Sequence, residues 1–285
     1  MLVERMTVCG VGLIGGSVAL GARRRGLARE VVGFDRTRAH LDFALSHGLI
    51  SRAVDSPAAA AQGAQLVVLA TPLLAMPKML AAMVPHLPED AVITDTGSVK
   101  AWVVHKLAPL LRGPMALVPA HPVAGKELDG PKAAEASLFE GRRVIVTPTA
   151  QSGAEGLRMV EGMYRALGAR VETMDARTHD RLLARSSHLP QLAASALALA
   201  IGQARVGDKL VFDYGAGGLR DTTRLALSPA EMWRDICLTN REAILEALAL
   251  YRDALDNLEQ LIERGDAQGL EVALARGRQM REQLK

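Results

Sequence analysis

Three glycines, Gly10, Gly12 and Gly15, stand in the stretch GVGLIGG with the spacing G-x-G-x-x-G. A tight turn with no ligand would also use such glycines. Here the motif follows the apolar run TVCG and opens a helix-compatible segment. It is followed by VVGFD, which puts Asp35 20 residues after Gly15. Strand, glycine turn, helix and a later acid are the parts of a dinucleotide site. Gly10 permits the turn, Gly12 lets a pyrophosphate approach the backbone, and Gly15 lets helix and strand pack closely. Leu13 and Ile14 begin the helix, whose free N–H groups and positive dipole end face the phosphates. Asp35 is expected to bond the adenosine ribose and to repel a 2′-phosphate, favouring NAD over NADP. Arg36 and Arg38 stand close enough to weaken that preference.

Three more stretches carry candidate chemistry. Thr71 and Pro72 end an apolar run and either touch the cofactor or close an ordinary turn. In DTGSVK (95–100), Ser98 reads as the cap of a following helix, and a capping serine can still present its hydroxyl to a ligand. In PAHPVAGKE (119–127), His121 falls on what reads as a loop after a strand, between Ala120 and Pro122. A lone histidine is more often structural. At this edge it is also a candidate base, because oxidising an alcohol requires a proton acceptor that is neutral near pH 7.

These residues need elements to hold them. Short apolar runs at 7–10, 31–34, 65–70, 91–95, 115–119, 143–147 and 170–174 read as strands buried on both faces. Segments 14–26, 37–47, 75–84, 98–111 and 153–168 read as helices between them. The alternation predicts a Rossmann-like doubly wound α/β sheet, parallel over its first strands, with the glycine turn at its carboxyl edge. From about residue 175 no convincing strand follows. A long helix is expected over 176–206, bent near Pro190, then a Gly-rich connection over 207–227. Ser228, Pro229 and Glu231 read as a capping box opening a helix that runs to about Arg264, and Asp266 as the cap of a last helix. The division is therefore 1–174 for an NAD-binding domain and 175–285 for an all-α domain. Long apolar helices in so small a domain favour a homodimer.

Composition narrows the class. Of 285 residues, 49% are hydrophobic and 23% charged, a globular balance, with 3% aromatics, so that aliphatic side chains must build the core. The net charge of +3 is small and the arginines are scattered, apart from Arg23-Arg24-Arg25, so no nucleic-acid partner is expected. Cys9 and Cys237 have no C-x-x-C partner; they read as thiols in a reducing cytoplasm, with no metal site. The uncharged run 6–22 resembles a signal or membrane segment, but it holds five glycines. It also falls short of the roughly 20 apolar residues a span needs. No membrane span is expected, and the location is expected to be cytoplasmic.

GVGLIGGSVA, DTGSVK, HPVAGKE, SHLPQ (187–191), GLRDTTR (218–224) and MWRDI (232–236) together resemble the prephenate and arogenate dehydrogenases of tyrosine synthesis. The resemblance covers almost the whole chain in order. It implies an NAD-linked oxidative decarboxylation of prephenate to 4-hydroxyphenylpyruvate. By that resemblance His121 takes the ring hydroxyl proton and Ser98 bonds the same hydroxyl and the histidine. Arg224 grips a substrate carboxylate, His188 and Asp180 line the site, Glu127 stands near its entrance, and Trp233 lies beside the pocket. Gln191 stands where some prephenate-selective members have a second histidine, which bears on side-chain recognition. No fused chorismate mutase or regulatory ACT-type domain is expected. Two other classes bind NAD with a similar turn. A β-hydroxyacid dehydrogenase would use a helix-borne catalytic lysine, for which the sequence has no clear counterpart. A redox-sensing NAD-binding regulator would bind NAD without turnover, and a DNA-binding one would need a basic module.

Overall fold

The structure, a computed structural model, describes residues 1–125 and 128–284. Six parallel strands form the main sheet: β1 (Val3–Cys9), β2 (Ala28–Phe34), β3 (Arg52–Val54), β4 (Leu66–Leu69), β5 (Val92–Asp95) and β6 (Ala116–Val118). Their order is β3-β2-β1-β4-β5-β6, with Cys9 in register with both Phe34 and Leu69. The order reverses between β1 and β4, which opens a crevice at their carboxyl ends. Side chains along each strand alternate between two cores. Leu66 and Val68 enter one, while Val67 and Leu69 enter the other. That is why these runs read as continuously apolar.

The connecting helices are α1 (Leu13–Arg24), α2 (Arg38–Ser46), α3 (Pro57–Ala61), α4 (Met76–Met83) and α5 (Lys100–Leu107). The first core takes α1 and α6 (Ala154–Ala166). Three features differ from the sequence expectation. The strand β3 and the short helix α3, capped by the Ser56 side chain, were not foreseen. The chain also bends at Pro119 into a further strand, β7 (Ala120–Val123). Finally, the run at 143–147 does not join the main sheet. It forms β8 (Arg143–Val146), antiparallel to β7 and parallel to β9 (Arg170–Thr173), in a separate three-stranded sheet.

Beyond this, helices dominate: α7 (Ala176–Leu183), α8 (Leu189–Ile201), α9 (Gly217–Thr223), α10 (Ala230–Thr239), α11 (Arg241–Glu263) and α12 (Ala267–Glu282). The expected bend near Pro190 is a π turn over Ala184–His188, just before the proline. The Gly-rich connection includes a two-stranded hairpin of Arg205–Val206 and Lys209–Leu210, so the second half is not strictly all-helical. The helix expected from 228 to 264 is broken at Asn240, and the Ser228 side chain does not cap it. Asp266 caps α12 as expected, accepting from Gly269 N. Ala184, Ile236, Ile244 and Ala247 enter the second core, so the helical region and the main sheet share it. Among the described residues, no helix is long and apolar enough to cross a membrane.

Candidate active site

The glycine turn joins β1 to α1. Gly10 has φ +91°, and a Cβ there would lie 2.5 Å from the Ala70 carbonyl oxygen. A Cβ on Gly15 would lie 1.9 Å from the Gly10 carbonyl oxygen. Both positions exclude side chains because of the protein's own backbone. Gly12 is different: among the described residues, its Cβ would meet nothing nearer than Asp129 Oδ1 at 4.0 Å. The space above Gly12 is open, at the N-terminus of a helix with no side-chain cap and no acid in its first turn. Leu13 and Ile14 form that first turn. Thr71, at the end of β4, holds a buried hydroxyl with no hydrogen-bond partner among the described residues, and Pro72 leads into a 3-10 turn. An open cradle and an orphaned hydroxyl on the same edge fit a bound dinucleotide.

Asp35 follows β2 and does more than was foreseen. Its Oδ2 accepts from Val11 N at 2.9 Å and its Oδ1 from Thr37 N at 2.8 Å. It therefore braces the glycine turn; Oδ1 also lies 3.4 Å from His40 Nδ1, and Oδ2 keeps a lone pair for a ribose hydroxyl. Arg36 is exposed, with its guanidinium 4.0 Å from Glu231 on α10.

The second part of the site is a buried polar chain. His121 lies in strand β7 rather than on a loop, and is buried. Its Nδ1 is 2.8 Å from Nε2 of His179, whose Nδ1 is 2.7 Å from Asp180 Oδ1. Asp180 Oδ1 also accepts from Lys100 N at 2.7 Å, and Oδ2 from Ala101 N at 2.9 Å. Thus α5 is capped by a carboxylate from α7, not by Ser98. Ser98 is half-buried, and its hydroxyl makes no hydrogen bond among the described residues. Below β7, the fully buried Lys100 ammonium pairs with Asp95 and donates to Ala120 O at 2.7 Å. Asp95 in turn accepts from Gly97 N and Ala120 N. The DTGSVK stretch therefore clamps the backbone beside His121.

Burial pushes the His121 imidazole well below the ordinary histidine range, and His179, Lys100 and His188 push it the same way. Burial also lowers His179, against the opposing pull of Asp180. His188 ends the π turn and is lowered to about 4, chiefly by burial. Asn240 donates its amide to Asp180 O at 2.9 Å and lies 3.2 Å from His188 Nδ1. The break between α10 and α11 is what brings this side chain in. Trp233 stands edge-on to His188 with ring centroids 5.8 Å apart, and its indole N–H is buried without a partner among the described residues. Gln191 is buried; its amide reaches Ser195 at 3.4 Å while its Oε1 has no partner among the described residues. Arg224 is exposed on a 3-10 turn, Arg224–Leu227, packed against α8. Glu127 lies outside the described residues. Sequence reasoning missed His179, Lys100 and Asn240. The adjacent His179-Asp180 pair was a signal that could have drawn notice.

A dinucleotide cradle and a buried imidazole, both at the carboxyl edge of the sheet, are the parts of a dehydrogenase of the dinucleotide-binding class. The comparisons make the class specific. The family model described as prephenate dehydrogenase, nucleotide-binding domain, matches residues 18–173, and that described as prephenate dehydrogenase, dimerization domain, matches residues 175–276. The chain belongs to the prephenate dehydrogenase family, whose members are oxidoreductases. A cyclohexadienyl dehydrogenase of Zymomonas mobilis is 35% identical over 264 residues, covering 92% of this chain and 90% of that protein. A prephenate dehydrogenase of Bacillus subtilis is 30% identical over 268 residues, covering 94% of this chain and 72% of that one. The crystal structure of prephenate dehydrogenase from A. aeolicus, in complex with hydroxyphenyl propionate and NAD+, is 31% identical with a TM-score of 0.93. It covers 99% of this chain and 98% of that one.

Proposed function

We propose that the chain catalyses the NAD-dependent oxidative decarboxylation of prephenate to 4-hydroxyphenylpyruvate in tyrosine biosynthesis. The observation that carries this is the buried His121, held neutral at the carboxyl edge of the cofactor cradle. NAD supplies the hydride acceptor when bound, and we assign Gly10, Gly12, Leu13, Ile14, Gly15, Asp35 and Thr71 to holding it. His121 takes the proton of the ring hydroxyl as hydride leaves C4. As carbon dioxide leaves C1 and the ring becomes aromatic, the same imidazole returns that proton to the phenolic oxygen. Protons then balance, and two electrons leave as hydride. Arg224 contributes the guanidinium that a dianionic substrate calls for. Gln191 Oε1 and the Trp233 indole N–H, buried without a partner among the described residues, are polar atoms that a substrate can bond. Residues 1–174 carry the cofactor and residues 175–285 complete the site.

The active unit is a homodimer. On α11 only Ala243, Ile244 and Ala247 are buried, and on α12 no residue is. Leu250, Leu255, Ile262, Val272 and Leu274 are left exposed along them. A second copy of this surface would cover it.

Arogenate differs from prephenate by an ammonium in place of a keto group. The neutral Gln191 can donate and accept, so it repels neither substrate. NADH formation with each substrate, and with NAD or NADP, tests the reading. Prephenate with NAD is expected to give the highest kcat/KM, with measurable arogenate activity. A ratio strongly favouring arogenate would overturn the substrate assignment.

A further inference from the structure

We propose that His179 is a positioning residue that fixes the tautomer of His121, with Asp180 anchoring both. The inference rests on the reading of His121 as the proton acceptor. Asp180 Oδ1 lies 2.7 Å from His179 Nδ1. A carboxylate can only accept, so His179 carries its proton on Nδ1 and has its lone pair on Nε2. That lone pair faces His121 Nδ1 at 2.8 Å. His121 therefore donates from Nδ1, and its own lone pair is on Nε2, the one ring nitrogen left for a substrate hydroxyl. When Nε2 takes a proton, the new charge sits on a ring bonded through His179 to a carboxylate. Asp180 is itself fixed by Lys100 N and Ala101 N at the start of α5. The imidazole orientation is thus tied to a helix end rather than to a mobile side chain.

The chain of contacts also spans the fold. His121 belongs to β7, while His179 and Asp180 belong to α7 of the helical region. All three side chains are buried. In serine-protease triads a carboxylate orients the base histidine directly, and the wrong tautomer costs about 10⁴-fold in rate. Here the orienter is a second imidazole. Unlike a carboxylate, it can accept from one neighbour and donate to another.

Two measurements test this. In protein with ¹⁵N-labelled histidine, nitrogen–proton correlation spectra report which ring nitrogen is protonated; the His121 signals are those lost in His121→Asn. A proton on Nδ1 of both His121 and His179 is expected, and a wild-type His121 protonated on Nε2 would overturn the proposal. In kinetics, His179→Leu is expected to lower kcat by about 10²-fold or more, with KM for prephenate and for NAD within about threefold. His179→Gln offers an amide oxygen in place of Nε2 and is expected to recover at least about tenfold of that loss. A folded His179→Leu variant with wild-type kcat, or a His179→Gln variant no better than it, would refute the role. If the leucine variant does not fold, the wild-type spectra and the kcat of the glutamine variant decide. If the wild type turns over neither prephenate nor arogenate, the functional reading fails, while the spectra still decide the tautomer.

Discussion

Removing the Asp180 carboxylate is expected to cost stability well beyond what a partly exposed helix residue would. In Asp180→Ala, Lys100 N, Ala101 N and His179 Nδ1 all lose their acceptor. Each buried donor left unpaired costs about 1–3 kcal/mol. Loss of an anion at a helix N-terminus adds about 0.3–2 kcal/mol. Partial relaxation around the smaller side chain places the sum at about 3–5 kcal/mol. For a chain of this size, 1 kcal/mol corresponds to roughly 2 °C in Tm, so Asp180→Ala should melt roughly 6–10 °C lower. Asp180→Asn should recover only part of this, because its NH₂ must face one of the same three donors. The assay is thermal unfolding at fixed protein concentration, with NADH binding measured alongside at low temperature. The glycine turn is far from Asp180 in the chain and braced by Asp35 instead, so cofactor affinity should hold. A melting temperature for Asp180→Ala within about 1 °C of wild type would refute the assigned cap.

The buried histidines set a direction for pH. His121, His179 and His188 all have folded-state values below their ordinary ones, so the unfolded chain binds more protons as pH falls below about 6.5. Stability should be full above that pH and fall with acid; for His188, lowered from 6.5 to about 4, the loss amounts to about 3 kcal/mol by pH 4. Denaturant titrations at several pH values would show this, and stability that rises on acidification would contradict it. Asp35→Ser should shift the NADP-to-NAD ratio of kcat/KM upward and weaken NAD, since it removes both the ribose acceptor and the brace on Val11; a wild type that already prefers NADP would negate this reading. Arg224→Ala should raise KM for prephenate by at least about tenfold, the loss of one charge-assisted hydrogen bond, and Arg224→Lys should restore it only in part. A lysine variant equal to wild type would remove the two-point contact.

The glycine turn, Asp35 and the first strands were legible because their signals are local: spacing, apolar runs and a following acid. The strands β3 and β7 were not: β3, Arg52–Val54, lacks a continuous apolar run, and β7, Ala120–Val123, is interrupted by His121 and Pro122. His121 read as a loop residue because Pro119 and Pro122 flank it, yet its strand pairs with β8 through Ile145. The cap on α5 was invisible because it arrives from a residue 80 positions later. Asn240 interrupts a helical pattern whose apolar period continues on either side, so the sequence predicts one helix where packing against His188 and Asp180 makes two. Ser228 carries a capping signature that the structure does not use. His179, in a strongly polar helix, reads as a surface residue; only the fold places it under His121.

The central claim is that His121 accepts the substrate hydroxyl proton in an NAD-linked oxidation of prephenate. The direct measurement is the initial rate of NADH formation from prephenate across pH by wild type and His121→Asn, with NAD affinity measured for both. The expected result is wild-type turnover whose kcat/KM falls only as pH drops through the lowered histidine range, because only the neutral ring accepts a proton. In His121→Asn, NAD affinity should be unchanged and the rate lower by roughly 10²–10⁴-fold. A variant that forms NADH at the wild-type rate would contradict the claim.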